Sequence, residues 1–274
     1  MQPSFVVITD LSGASENALT YTARLANCVS GRLVLLHPYQ DPLLEPEAAM
    51  VAVPSLVNTR KEVMDELVQR AQQLPVPAEA ELSVDTLGMA VADVVQRRHP
   101  LLLALGREQP HNWLDRLISN QALPILQGAH YPLLLVPEDW HDLAPPSRVV
   151  VAADEHNFWL TTPALALAEL FSALHPTTTV VHVESGTGPS HAHVGLEAVR
   201  RTGLFGNITN TSLYELREEA PADGILHAAS ELQAQLVVLL ARPHTFVGGL
   251  FHRSVTAQVL RRSPVPVLVL PTMA

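Results

Sequence analysis

Apolar residues fall along this chain in two rhythms. Short unbroken runs, among them FVVI (5–8), PLLLAL (100–105), PLLLV (132–136), RVVV (148–151), LVVLLA (236–241) and VPVLVL (265–270), end at polar or turn-forming residues. Runs of that length, rich in Val and Leu, suit parallel strands covered on both faces. Between them the spacing changes to three and four. In RKEVMDELVQRAQQL (60–74), Val63, Met64, Leu67, Val68, Ala71 and Leu74 share one stripe. In PADGILHAASELQAQ (221–235), Ile225, Leu226, Ala229 and Leu232 do the same. Both stretches predict amphipathic helices with their charges in water, and His227 falls on a helix surface.

The pattern is written twice. FVVITDLSGASENALTYTARLANCVSGRLVLLHPY (5–39) is echoed by RVVVAADEHNFWLTTPALALAELFSALHPTTTVVHVE (148–184), which sets Asp10 opposite Asp154 and His37 opposite His182. PLLLALGR (100–107) matches QLVVLLAR (235–242), and YPLLLVP (131–137) matches VPVLVLP (265–271). Each half reads strand, helix, strand, longer helical insert, strand, helix, strand, helix, strand. Such alternation predicts an α/β fold of two doubly wound, Rossmann-like, five-stranded parallel sheets in tandem. The polar stretch EDWHDLAPPS (138–147) reads as a connection, which divides the chain into a first domain over 1–141, a linker over 142–147 and a second domain over 148–274.

Composition narrows the function classes. A chain of 274 residues holds two domains of ordinary size, and 47% hydrophobic against 16% charged residues is the balance of a core-forming protein. A net charge of −10 disfavours coating nucleic acid, which needs a basic face. No basic leader precedes an apolar core and no run is long enough to span a bilayer, so the expected setting is the cytoplasm, away from membranes. The single cysteine, Cys28, sits among small apolar residues and is expected as a buried thiol.

With its aspartate-closed first strands, the PADGILHAASELQAQLVVLLAR segment (221–242) and the terminal GLFHRSVTAQVLRRSPVPVLVLP (249–271), the chain resembles a tandem universal stress protein. The resemblance covers nearly all of both halves. It implies that the last strand of each half pairs with its counterpart, making a pseudo-dimer of the two domains, and that the whole chain forms a homodimer. It also implies one of two behaviours, because some members hold ATP and others bind no nucleotide. In those that do, the first-strand aspartate lies at the adenine side. Their phosphates are cradled by a loop of Gly, two residues, Gly, nine residues, Gly and then Ser or Thr.

Glycines in such a loop let the backbone approach phosphate without a Cβ, while N–H groups and the hydroxyl donate to the anion. With Ser254 as the hydroxyl, the glycine positions of the second half are Leu240, Pro243 and Arg253, and Pro243 has no N–H to donate. With Asn120 in that role, the first half keeps Gly106 but carries Gln109 and Ser119. Trp113 in the same loop suits packing better than a phosphate cradle. What the second loop retains is Arg242, His244, His252 and Arg253 close to a helix start at Ser254, an arrangement that suits an anion as well as a plain N-cap. Asp10, Gly106, Asn120, Asp154, Arg242, Arg253 and Ser254 are therefore the candidate nucleotide contacts.

Three other features bear on chemistry. His191 and His193, with His182, have a spacing that zinc or copper accepts, set against a plain polar insert. Asp10 and Asp154 are candidate carboxylates, but they sit in separate repeats and each suits the cap of a turn. The segment QDPLLEPEAAMVAVPSLVN (40–58) is apolar enough to pack over the sheet or against another subunit, or to move as a lid. No nucleophile elbow, Walker loop or zinc-protease motif is present. The sequence thus points to a cytoplasmic, non-enzymatic stress-response protein that acts by protein association through degenerate nucleotide sites, with no cofactor. The rival expectations are an ATP- or AMP-binding sensor and a weak ATPase in the same strand-end crevice.

Overall fold

The computed structural model describes residues 2–39, 60–108, 131–142, 144–184, 189–218, 220–242 and 254–273. In the first half these form β1 (Ser4–Ile8), α1 (Gly13–Cys28), β2 (Arg32–Pro38), α2 (Arg60–Gln72), β3 (Ala78–Ser83), α3 (Leu87–Arg98), β4 (Leu102–Arg107) and β5 (Leu133–Pro137). The second half begins with β6 (Arg148–Ala152), β7 (Trp159–Leu160), α4 (Thr162–Leu165), α5 (Ala168–Leu174) and β8 (Thr177–Glu184). It continues through α6 (Ala192–Thr202), β9 (Leu213–Arg217), α7 (Pro221–Glu231), β10 (Leu236–Ala241), α8 (Val255–Arg262) and β11 (Val267–Met273).

Two five-stranded sheets in tandem were expected, joined through their last strands as the resemblance implies, and the structure runs them together as one continuous sheet. Its strand order is β3-β2-β1-β4-β5-β11-β10-β6-β8-β9, with the two-residue β7 added to the far end of β11. Within each half pairing is parallel except where β7 runs antiparallel to β11, and the seam is antiparallel, with Val267 facing Leu135, Leu268 facing Leu134 and Val269 facing Leu133. The physical reason is that β5 and the Val267–Leu270 stretch of β11 are apolar on both faces and buried. Left unpaired, each would be an exposed apolar edge with open N–H and C=O groups. The outer strands β3 and β9 carry Glu79, Glu81, Glu215 and Arg217 and are mostly only partly buried, as suits true edges.

Helices cover both faces. Ser12 caps α1 by accepting from the Ser15 N–H, and the buried alanines Ala14, Ala18, Ala23 and Ala26 let neighbouring elements pack close around α1. In α2 the expected stripe narrows to Val63, Leu67 and Ala71, while Val68 is exposed, because a single sheet face covers only part of a helix. Cys28, expected as buried, is the last residue of α1 and is partly exposed, its Sγ donating to the Arg24 carbonyl. No described helix is long and apolar enough to cross a membrane.

Candidate functional site

The repeat places one strand-end turn in each half, and the two turns are built alike. Asp10 Oδ1 accepts from the Ser12 N–H at 3.0 Å and Asp154 Oδ1 accepts from the His156 N–H at 3.0 Å, so each carboxylate closes its own turn. His37 and His182 also correspond: Nδ1 of the first donates to the Thr9 carbonyl at 2.8 Å, and Nδ1 of the second to the Ala153 carbonyl at 3.1 Å. A carbonyl only accepts, so in a neutral ring Nδ1 carries the proton and Nε2 is left as the acceptor. Partial burial raises the proton affinity of the Asp10 carboxyl. Hydrogen bonds from Ser12 and Ser15 outweigh it and hold the group below the usual carboxylate range.

Beyond the turns the halves diverge. In the first, four residues separate β1 from α1 (9–12), so the start of α1 lies directly over the end of β4. A Cβ on Gly106 would fall 2.2 Å from the Ala14 carbonyl carbon and oxygen and 2.6 Å from the Ser15 nitrogen. Gly106 thus has a packing role, the close approach of helix to strand. In the second half nine residues (153–161) separate β6 from α4 and run through β7, and the repeat position of Gly106 is Ala241.

A crevice of about 580 Å³ opens at that end of the second half. Phe158, Val181, Ile225, Leu239 and Leu240 give it an apolar wall, and Asp154, His182, Arg242 and Ser254 give it polar groups. This volume suits a ligand of nucleoside size. Arg242 Nη2 donates to Asp154 Oδ1 at 2.7 Å across the crevice. Ser254 Oγ accepts from the Ala257 N–H at 3.1 Å, so the hydroxyl caps α8 at the rim. Gly195 in α6 leaves room for the Asp154 backbone, since a Cβ there would lie 2.4 Å from the Asp154 carbonyl oxygen. Around the mouth, His156 Nδ1 stands 3.6 Å from Asp154 Oδ2 and His191 Nδ1 stands 3.3 Å from Glu155 Oε2.

Of the sequence-derived candidates, Asp154, Arg242 and Ser254 meet at one crevice, while Asp10 and Gly106 belong to the other half. Asn120 and Arg253 lie outside the described residues, as do Gln109, Trp113, Ser119, Pro243, His244, His252 and the segment 40–58. Leu240, on the first glycine position, stays in the strand ladder opposite Leu270, with no turn in the backbone there. Among the described residues no three His, Cys, Asp or Glu side chains gather as a metal site, His182, His191 and His193 included. Sequence reasoning passed over Phe158, Glu155 and His156 at the crevice. It also passed over Arg107, although the match of PLLLALGR to QLVVLLAR pairs that residue with Arg242.

Comparison with known proteins gives one family and one fold. The model of the universal stress protein family matches residues 2–137 and again 148–271. No curated protein matches the chain. Among solved structures, a universal stress protein from Archaeoglobus fulgidus DSM 4304 is similar at a TM-score of 0.64 and 18% identity, over 98% of this chain and 96% of that one. A protein of unknown function from Pseudomonas aeruginosa PAO1 is similar at 0.55 and 19%, over 99% and 93%. The cytoplasmic domain of a prokaryotic cation chloride cotransporter is similar at 0.53 and 12%, over 98% and 95%.

Proposed function

The chain belongs to the universal stress protein family, and from that premise we propose that it is a non-enzymatic cytoplasmic stress-response protein that acts by association with protein partners, a second copy of itself included. Nucleotide is handled weakly, and only in the second half. The observation that carries this reading is the Asp154–Arg242 pair: the carboxylate and the guanidinium that a nucleotide would address are hydrogen-bonded to each other at 2.7 Å. Both side chains are partly exposed, so breaking the pair costs no more than about 1 kcal/mol, roughly a fivefold loss of affinity. The larger loss lies in the phosphate donors, because Leu240, Pro243 and Arg253 stand on the glycine positions, Pro243 has no N–H, and each missing hydrogen bond to a charged oxygen removes about 1.5–3 kcal/mol.

Titration calorimetry with ATP, ADP and AMP, with and without magnesium, tests it. The expected outcome is binding near the millimolar range, about −4 kcal/mol. Micromolar binding of any of the three overturns the reading in favour of a sensor. The apolar wall and volume of the crevice support that second reading, with Asp154 toward the nucleoside and Arg242 and Ser254 toward phosphate. Phosphate release on top of binding would make the protein an ATPase.

A further inference from the structure

We propose that the first half positions the wall of the second-half crevice, and that Arg107 is the residue through which it does so. The proposal rests on reading that crevice as the ligand site. α8 is a single eight-residue helix, about 12 Å long, and its two ends lie in different places. Its N-terminal end, Ser254, Val255 and Thr256, lines the crevice. Its C-terminal end stops at the seam between the halves, just before β11.

There Arg107 crosses from the end of β4. Its Nη1 donates to the carbonyls of Leu260 at 3.3 Å and Arg261 at 2.5 Å, and its Nη2 donates to the carbonyl of Ser263 at 2.5 Å. The last carbonyls of a helix have no partner within it and carry the negative end of its dipole, so a guanidinium fork answers both their hydrogen bonds and their charge. Burial lowers the proton affinity of Arg107, with Asp139 acting in the opposite direction. A guanidinium so withdrawn from water is costly to leave without acceptors, and the clamp therefore holds from both sides.

Between clamp and crevice, Thr256, Ala257, Val259 and Leu260 of α8 are buried and the helix packs along α7, so fixing one end restrains the other. The repeat sharpens the point. Arg242 occupies the equivalent position in the second half and is bonded to Asp154 inside the crevice. One repeat position thus supplies two groups to one site: Arg242 within it, and Arg107 as a positioning residue acting through α8.

Hydrogen exchange on the full chain, read by mass spectrometry, tests this with Arg107→Met, which keeps the apolar stem and loses the donors, and Arg107→Lys, which keeps the charge and loses the fork. In Arg107→Met the amides of α8 are expected to exchange about tenfold faster back to Ala257 and Gln258, whose N–H groups donate to the crevice-lining Ser254, while those of β6 and β10 keep wild-type rates. Arg107→Lys is expected to recover part of the protection. Whichever of ATP, ADP or AMP the wild type binds is expected to bind Arg107→Met at least about threefold more weakly.

An even rise in exchange over both halves, or a rise confined to the last turn of α8, overturns the proposal, as does an affinity that does not change. A wild type that binds none of the three ends the nucleotide reading alone, and the exchange pattern then decides the role of Arg107. Should Arg107→Met fail to fold, Arg107→Lys against the wild type gives the same comparison.

Discussion

Replacing Gly106 by alanine tests why the first half keeps that glycine. The added Cβ would meet the backbone of α1 at 2.2 Å, at the carbonyl carbon and oxygen of Ala14, and at 2.6 Å from the Ser15 nitrogen. Ordinary contact is about 3.5–4.0 Å, so α1 or the end of β4 must give by more than about 1 Å. Overpacking a core costs about 1–3 kcal/mol, and a backbone obstacle places Gly106→Ala at the upper end, about 3 kcal/mol. For chains of 150–250 residues each kcal/mol moves the melting temperature by about 2–4 °C, so a fall of roughly 6–12 °C is expected in a circular-dichroism melt.

Gly203 is the control. It has φ +63° and nothing within 4 Å of an added Cβ, so its requirement is conformational and not spatial. Gly203→Ala is expected to cost about 1–2 kcal/mol for the left-handed backbone. Gly203→Asn is expected to cost less, since asparagine visits that region at helix ends. A Gly106→Ala melt within about 2 °C of wild type would refute the packing argument and return Gly106 to the pool of ligand-loop glycines.

Three further outcomes are expected. Ser254→Ala removes the acceptor of the Ala257 N–H and lowers stability by about 1 kcal/mol in a urea unfolding series; an unchanged midpoint would mean that water caps α8 equally well. The Asp10 carboxyl is held below its ordinary 3.8, so its ionised form stabilises the fold fully above that pH and the contribution is lost as pH falls through the lower folded value. The melting difference between wild type and Asp10→Asn should therefore narrow between pH 6 and about pH 3, and a constant difference would contradict the Ser12 and Ser15 bonds. Tyr21 is buried, its hydroxyl meets no hydrogen-bond partner among the described residues, and burial with the nearby Asp142 raises its proton affinity. Tyr21→Phe is expected to leave stability unchanged or raise it by about 1 kcal/mol in the same urea series, and a loss above that would reveal a bond to the hydroxyl.

The sequence by itself determined the elements and their repetition. Unbroken apolar runs such as LLLAL (101–105) and VLVL (267–270), bounded by turn formers and rich in Val and Leu, suit strands covered on both faces, and the matching aspartates and histidines mark equivalent turns, because those signals are local. It also brought Asp154, Arg242 and Ser254 forward, among seven candidate contacts spread over both halves. Tertiary structure alone decided that β5 and β11, the last strands whose pairing the resemblance implied, run antiparallel and in which register they meet, since a strand's partner leaves no mark on its own periodicity. It alone separated Gly106 from Ala241, through a helix start that sits over one strand end and not over the other. And it alone distinguished two arginines that are identical in the repeat: Arg242 turns toward an aspartate of its own half, while Arg107 reaches the carbonyls of a helix more than 150 residues away, a contact that no pattern along the chain encodes.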